Sequence, residues 1–200
     1  MFGTRIVIVD ADAAYCRCLK EAFRHADYHV AGEASDARGA LQIIFQSDPQ
    51  VIVMDPYIPG SEGIGLTGII DEHRVAPVVV IVPQTEGNIE EYVRLPGVYG
   101  ALLKPLQEGT VLPVIETALA NFDRALKLEK ELGEVRRELE NRKIVEKAKG
   151  LLMERKKMSE KEAYKYLQKI SMDQCVPMAR VAMDYIKRCQ FNQGRSTGRI

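Results

Sequence analysis

Tryptophan is absent from this 200-residue chain, and histidine (3), cysteine (4) and proline (9) are scarce. The cysteines are Cys16, Cys18, Cys175 and Cys189. Their spacing suits neither a disulfide framework nor a zinc site, so we expect them to behave as small apolar side chains. No apolar run is long enough to span a bilayer, and the N-terminus lacks the layout of a signal peptide. We therefore expect a cytoplasmic protein with no membrane partner.

The formal net charge of zero conceals two halves of opposite sign. Residues 1–122 hold 8 basic and 16 acidic residues, a balance of −8. Residues 123–200 hold the other 20 basic and 12 acidic residues, a balance of +8. This asymmetry predicts two domains with different partners, and the basic one is a candidate for binding nucleic acid. A solvated, charged helix is the alternative explanation.

Short apolar segments alternate with helical patterns in the first half of the chain. The segments, rich mostly in valine, isoleucine or leucine, are residues 5–9, 28–34, 51–54, 78–82 and 100–104. Between them, apolar residues recur at helical spacing, as at Leu41, Ile44 and Phe45. This alternation indicates a parallel sheet covered on both faces. We predict an α/β domain over residues 1–122, a flavodoxin-like, doubly wound sheet of five parallel strands.

After residue 122 the chain becomes rich in charged residues and leucine. Apolar residues follow alternating steps of four and three, interrupted once at Asn121; they are Ala118, Ala125, Leu128, Leu132, Val135 and Leu139. This heptad pattern predicts a helix that leaves the first domain and forms a coiled-coil linker over residues 123–141. We expect a homodimer through that coiled coil, with a single long amphipathic helix as the alternative.

Residues 142–190 have the pattern of a small all-α domain of three helices. Ser159 and Glu162 have the spacing of a capping box at the start of the second helix. Pro177 is placed in the first turn of the third helix. The apolar stripe of that helix is Met178, Val181, Ala182, Tyr185, Ile186 and Cys189. Polar residues 191–200 predict a flexible tail.

The stretch "GIGLTG" at residues 63–68 matches the glycine spacing of dinucleotide-binding loops. Such a loop begins directly after a strand, usually the first one. Here Gly63 follows the predicted end of the third strand, Met54, by nine residues. We therefore interpret these glycines as part of a loop and helix start and predict no nucleotide site.

Three charged side chains are predicted at the carboxyl edge of the sheet. Asp10 follows the first strand, Asp55 follows the third, and Lys104 ends the fifth, directly before Pro105. Two carboxylates can bind a divalent cation, and an ammonium group can hold a phosphoryl oxygen. These three residues therefore predict a site for a divalent cation and a phosphoryl group.

On these residues, positions 5–122 resemble a response-regulator receiver domain. The resemblance implies that Asp55 is the phosphoacceptor, that Lys104 binds the phosphoryl group, and that Asp10 and Asp55 bind Mg²⁺. The chain departs from the family pattern where a second acidic residue, a small hydroxyl residue and a switch aromatic are usual; these places hold Ala11, Val82 and Ala101. Thr85 is displaced by three residues. We expect Mg²⁺ to bind weakly and phosphorylation to be weak or absent; ordinary phosphorylation is the alternative.

The segment 142–172 carries a second resemblance. Its motif runs through Ile144, Ala148, Lys149, Gly150, Leu152, Met153, Ser159, Glu160, Glu162, Ala163, Tyr164, Leu167 and Met172. It is similar to the ANTAR domain of transcription antitermination regulators, over about residues 135–190. The resemblance implies a dimeric three-helix module that binds stem-loops in a nascent leader transcript. Gln168 stands where many members have a basic residue.

Basic residues cluster around the first two helices of this segment. Lys157, Lys161 and Lys165 would share one face if a single helix covered them, and such a stripe can follow a phosphate backbone. Tyr164 or Tyr166 could stack on unpaired bases, although we favour a core position for Tyr164. The predicted RNA-binding residues are Lys147, Lys149, Arg155, Lys156, Lys157, Lys161 and Lys165.

The combined prediction is a regulator and not an enzyme, since any catalysis would be phosphoryl transfer onto the chain itself. A sensor kinase or a regulatory protein is the expected partner of the first domain, and RNA is the expected partner of the last. Two alternatives remain: a DNA-binding factor with a helix-turn-helix, and an adaptor that binds only protein. The absence of a glycine-containing turn between two short helices counts against the first.

Overall fold

The computed structural model describes residues 3–24, 26, 28–60, 64–84, 89–107 and 109–196, excluding the side chains of Ile64 and residues 191–196. The chain divides into two compact units, residues 1–127 and 128–200, which are described separately. One helix passes through the boundary between them. This helix also contains residue 122, where the sequence predicts a helix that leaves the first domain.

The N-terminal unit is built on a five-stranded parallel sheet. Its strands are β1 (Thr4–Val9), β2 (Tyr28–Ala34), β3 (Val51–Met54), β4 (Val78–Pro83) and β5 (Val98–Lys104). The strand order β2-β1-β3-β4-β5 is that of a flavodoxin-like sheet, so the predicted fold class is confirmed. Strand β3 is buried throughout because its neighbours β1 and β4 cover both edges and helices cover both faces. This explains its unbroken apolar sequence.

Five helices accompany the sheet: α1 (Ala13–Arg24), α2 (Ala37–Ser47), α3 (Ile64–Glu72), α4 (Ile89–Val93) and α5 (Val111–Lys156). They enclose two apolar cores, one on each face. Alternate residues of β1 enter opposite cores, Ile6 and Ile8 on one face and Val7 and Val9 on the other. Gly65 and Gly68 lie within α3, and Gly63 lies outside the described residues.

The C-terminal unit packs the last part of α5 against α6 (Glu160–Gln174) and α7 (Met178–Ser196). The capping box is confirmed, because the Ser159 side chain accepts a bond from the Glu162 amide while Glu162 accepts one from the Ser159 amide. Pro177 lies one residue before α7, where its carbonyl accepts bonds from the following turn. Helix α7 continues to Ser196, beyond the predicted start of the tail; residues 197–200 lie outside the described residues.

The heptad residues have two different environments. Ala118 is fully buried in the N-terminal core, whereas Leu128, Leu132, Val135 and Leu139 are each at least half exposed. Cysteine also differs from the prediction, since Cys16 and Cys189 are buried but Cys18 and Cys175 are exposed. Within the part of the chain that the structure describes, no helix is long and apolar enough to cross a membrane.

Candidate phosphoacceptor site and nucleic-acid interface

The parallel register of the sheet brings the two predicted carboxylates together. Val9 of β1 is paired with Met54 of β3, so Asp10 and Asp55 each follow a paired residue at the same edge. The Asp55 amide donates to the Val9 carbonyl at 2.8 Å, which extends the pairing by one step. The sequence therefore positions both side chains correctly, because carboxyl ends of parallel strands meet at one edge.

Lys104 lies between the two carboxylates. Its Nζ donates to Asp10 Oδ2 at 2.9 Å and to Asp55 Oδ2 at 2.6 Å. All three side chains are nearly buried, with exposed fractions of 10% for Lys104, 2% for Asp10 and 12% for Asp55. The predicted grouping of these residues is thus present in the structure, and it forms a buried ion triad.

Backbone amides hold the remaining carboxylate oxygens. Asp10 Oδ1 accepts from the Asp12 amide at 2.8 Å, and Asp55 Oδ1 accepts from the Tyr57 amide at 2.7 Å. Each of the four oxygens therefore accepts a hydrogen bond. This satisfies the requirement that buried charges be paired and hydrogen-bonded.

The ammonium group of Lys104 is stabilised as a cation. Burial by itself lowers the pKa of Lys104, but hydrogen bonds to Asp55 and Asp10 and their negative charges outweigh it and raise the pKa overall. The Tyr15 ring of α1 adds a cation–π contact, with Nζ 4.2 Å from the ring centroid. Tyr15 was not among the predicted site residues, because the approach of α1 to Lys104 is not visible in the sequence.

A magnesium ion at this edge could take Asp10 and Asp55 as its protein ligands. Mg²⁺ commonly binds through one or two carboxylates and keeps several waters. However, Lys104 donates to one oxygen of each carboxylate. Among the residues that the structure describes, no three His, Cys, Asp or Glu side chains converge as a metal site. The residues thus fit a weakly bound ion that competes with an ammonium group.

The three departures from the receiver pattern lie directly after Asp10, near the end of β4 and within β5. Ala11 is exposed and Ala101 is half-buried, while Val82 is 1% exposed at the end of β4. None of these side chains can donate a hydrogen bond. Thr85, the displaced hydroxyl residue, lies outside the described residues. The phosphoryl group would therefore find Lys104 as its side-chain donor, with no donor at position 82.

An aromatic contact leads away from Asp55 toward α4. Tyr57 packs edge-on against Tyr92, with ring centroids 5.8 Å apart and the two hydroxyl groups hydrogen-bonded. Since the Tyr57 amide also donates to Asp55, the loop after β3 connects the carboxylate to α4. Sequence reasoning missed this pair because the two tyrosines are far apart in the chain.

In the C-terminal unit, Lys149 is enclosed by glutamates. Its Nζ lies 3.0 Å from both Glu146 carboxylate oxygens and 2.7 Å from Glu160 Oε1, and its side chain is only 8% exposed. Hydrogen bonds to Glu160 and Glu146 raise the pKa of Lys149, and the bond to Lys149 lowers the pKa of Glu160. These contacts join α5 to α6 through Lys149, and the predicted RNA contact of Lys149 stays a prediction.

Two other predicted RNA contacts are also engaged within the unit. Lys156 Nζ donates to the Tyr166 hydroxyl at 3.1 Å and lies 4.2 Å from its ring centroid. Arg155 donates to the Cys189 carbonyl at 3.3 Å. Their charges remain exposed, but their geometry is set by contacts between helices.

The predicted stripe of three lysines is wrong in one member. Lys157 has a left-handed backbone conformation (φ 54°) between α5 and α6, so no helix covers Lys157, Lys161 and Lys165 together. Lys161 and Lys165 lie on α6, and both are exposed, as is Lys147 on α5. The favoured core position of Tyr164 is also wrong, since Tyr164 is 44% exposed, and Tyr166 packs against the core instead.

Comparison with known proteins agrees with both units. Residues 6–116 match the response regulator receiver domain, and residues 133–185 match the ANTAR domain. The chain therefore belongs to the response regulators that combine a receiver domain with a C-terminal ANTAR domain.

Among its relatives is the transcriptional regulatory protein PdtaR of Mycobacterium tuberculosis, which is 34% identical over 178 residues, covering 89% of this chain and 87% of that protein. The chemotaxis protein CheY of Thermotoga maritima is 41% identical over 63 residues, or 31% of this chain and 52% of that protein. A CheY-like receiver structure from Methanospirillum hungatei has a TM-score of 0.55 at 21% identity, covering 62% of this chain and 98% of that one, and supports the fold alone.

Proposed function

We propose that this chain is a transcription antiterminator that binds stem-loops in nascent leader RNA through its C-terminal unit. The observation that carries the proposal is the ANTAR match on a separate three-helix unit, within a half of the chain whose charge balance is +8. PdtaR is a transcriptional regulator, which supports a regulatory and non-enzymatic role. The expected location is the cytoplasm, where nascent bacterial RNA is made.

We further propose that the receiver is phosphorylated weakly or not at all. Lys104 already satisfies Asp55, and Val82 offers no donor to a phosphoryl oxygen. A phosphoryl group left without that donor in a partly desolvated site loses about 1–3 kcal/mol. Phosphorylation would then favour an active state by little, and a ligand shifts an equilibrium only by its differential interaction. A regulatory protein, rather than a kinase alone, would control activity.

Dimerisation through the exposed heptad residues completes the proposal. Leu128, Leu132, Val135 and Leu139 form an uncovered apolar stripe, which a second copy would bury as a short coiled coil. Leu132→Asp combined with Leu139→Asp should place charges in that interface and give a monomer. Sedimentation of wild type and variant tests this, and a wild-type monomer at micromolar concentration would contradict it.

Competition filter binding tests the nucleic-acid partner. The full chain is expected to retain a labelled RNA stem-loop in the presence of excess duplex DNA of the same length. Preference for the duplex would support the helix-turn-helix alternative, and binding to neither would support a protein adaptor. Labelling of Asp55 by acetyl phosphate with Mg²⁺, compared with Asp55→Asn, tests the receiver separately.

A further inference from the structure

The outward side of α6 has a composition unlike the rest of the C-terminal unit. Residues spaced three, four and seven apart lie on one face of a helix. On α6 the exposed residues with that spacing are Lys161, Tyr164, Lys165, Gln168 and Met172, here named the α6 outer face. Tyr164 is 44% exposed and Met172 is 66% exposed. The opposite side of α6 packs into the core through Ala163 and Leu167.

Lys161 and Lys165 of the α6 outer face form no ion pair or hydrogen bond with another residue that the structure describes. All residues of α6 are described, and its acidic residues are Glu160, Glu162 and Asp173. Glu160 lies four residues before Tyr164 and Glu162 three before Lys165, but Glu160 is hydrogen-bonded to Lys149 and Glu162 to Ser159. Asp173 lies eight residues beyond Lys165, about 12 Å farther along the helix axis, so it is not a neighbour of either lysine. Lys161 and Lys165 are therefore free to bind an anion.

We infer that the α6 outer face is the surface that contacts the single-stranded loop of the RNA, with Tyr164 stacking on an unpaired base and Lys161 and Lys165 binding flanking phosphates. The inference rests on the proposed function and specifies the residues that carry it. Unpaired RNA bases are recognised by stacking on aromatic side chains, and phosphates by adjacent cations. Charge complementarity to a polyanion selects RNA as the occupant.

Tyr164 is the stacking residue because Tyr166 is already engaged. The Tyr166 ring faces the Lys156 ammonium at 4.2 Å and packs against the three-helix core. A protein partner is less suited to the α6 outer face, since lysine is depleted from protein interfaces, where its desolvation is costly. Two lysines flanking one exposed ring instead match a nucleotide, which presents a charged phosphate beside a planar base.

The experiment uses the full chain and a pool of RNA stem-loops with one fixed stem and a randomised loop. The member that wild type binds most tightly becomes the probe, together with the same stem closed by an abasic loop. Tyr164→Ala should weaken binding to the probe by about 5- to 150-fold, the range expected for one stacked base, and should not change binding to the abasic stem-loop. Tyr164→Phe should bind the probe as wild type does.

The lysines are tested by salt dependence. Lys161→Ala with Lys165→Ala should reduce the slope of log affinity against log salt by about 0.7 for each contact to a single strand. The matched control is Lys127→Ala with Lys130→Ala, which removes the same charge from an exposed part of α5 and should leave the slope unchanged. Helical circular dichroism checks that every variant is folded.

Three results would overturn the inference while leaving RNA binding intact: Tyr164→Ala binding the probe as wild type does, equal losses in the alanine and phenylalanine variants, or equal slope changes in the two lysine pairs. A change in sedimentation on altering Tyr164 or Met172 would assign the face to a protein interface and also overturn it. If wild type binds no member of the pool more tightly than duplex DNA, the proposed function itself fails.

Discussion

Two lysines in this protein are each held by two carboxylates, but their surroundings are opposite. In the N-terminal unit, Lys104 binds Asp10 and Asp55, whose side chains are 2% and 12% exposed. In the C-terminal unit, Lys149 binds Glu146 and Glu160, whose side chains are 58% and 71% exposed. If Lys104 is removed, Asp10 and Asp55 remain buried and cannot be solvated. If Lys149 is removed, Glu146 and Glu160 are solvated by water. The two lysines therefore make similar contacts, but we expect their removal to lower the free energy of unfolding by different amounts.

The largest expected effect comes from removing the lysine of the buried triad. Lys104→Met leaves two carboxylates close together without their cation, and breaking a buried pair in this way costs about 3–5 kcal/mol. Native-state hydrogen exchange of β1 and β3 amides in the full chain measures the cost locally, because it does not require the two units to unfold together.

The control for this prediction removes the charges together. In a chain that already carries both Asp10→Asn and Asp55→Asn, Lys104→Met should lower the stability clearly less, since no unpaired carboxylate is left behind. Equal losses in both backgrounds would show that the packing of the lysine stem, and not its charge, supports the sheet edge.

A smaller effect is expected from the same substitution in the exposed cluster. Lys149→Met keeps the buried part of the side chain and releases Glu146 and Glu160 to solvent. The loss of stability should therefore be about 0.5–1 kcal/mol. Exchange of α6 amides reports it. The salt dependence of RNA binding should be unchanged, because this ammonium is directed at glutamates; a reduced slope would instead return Lys149 to the RNA-contact set.

The stability of α6 should depend on pH through the hydrogen bond between Lys149 and Glu160. The hydrogen bond from Lys149 lowers the pKa of Glu160 in the folded state. The contribution of this hydrogen bond to stability is therefore complete above the usual glutamate pKa. It is lost as the pH falls through the lowered pKa of Glu160 in the folded state. A carbon-detected NMR titration should find Glu160 titrating below its usual range in wild type and within that range in Lys149→Met. Identical titrations would contradict the bond.

The smallest expected effect is on function. Asp55→Asn should leave RNA stem-loop affinity within about twofold of wild type, because phosphorylation is proposed to change the active state little. The affinities of both chains are compared with and without acetyl phosphate and Mg²⁺. A tenfold phosphodonor effect in wild type alone, about 1.4 kcal/mol of coupling, would show that the site acts as an ordinary receiver.

The fold was predictable because local patterns and strand geometry agree. Each predicted strand lies within a strand of the structure, since Val- and Ile-rich runs bounded by polar residues fit a sheet buried on both faces. The positions of Asp10, Asp55 and Lys104 were predictable for the same reason, because the parallel register places strand ends at one edge. The capping box at Ser159 was predictable because it depends only on residues three apart.

Sequence reasoning is least informative where a side chain's partner comes from another element. Lys149 was predicted to contact RNA because its charge is visible in the sequence, but the approach of Glu160 on α6 is not. Tyr164 and Tyr166 are the same residue type and lie two residues apart on one helix. Residue type therefore cannot show which of the two faces the core. Lys157 was assigned to a helical stripe that its left-handed backbone interrupts.

The sequence by itself determined the order of strands and helices, the edge at which the three charged residues meet, and the family of both units. The first two follow from periodicity and strand spacing, and the family follows from the resemblance of the motifs to those of known domains. Only the tertiary structure decided which cations are committed to partners: Lys104 to Asp10 and Asp55, Lys149 to its glutamates. The physical reason is that the energy of a charge depends on its burial and on the distance to its partner, and folding sets both.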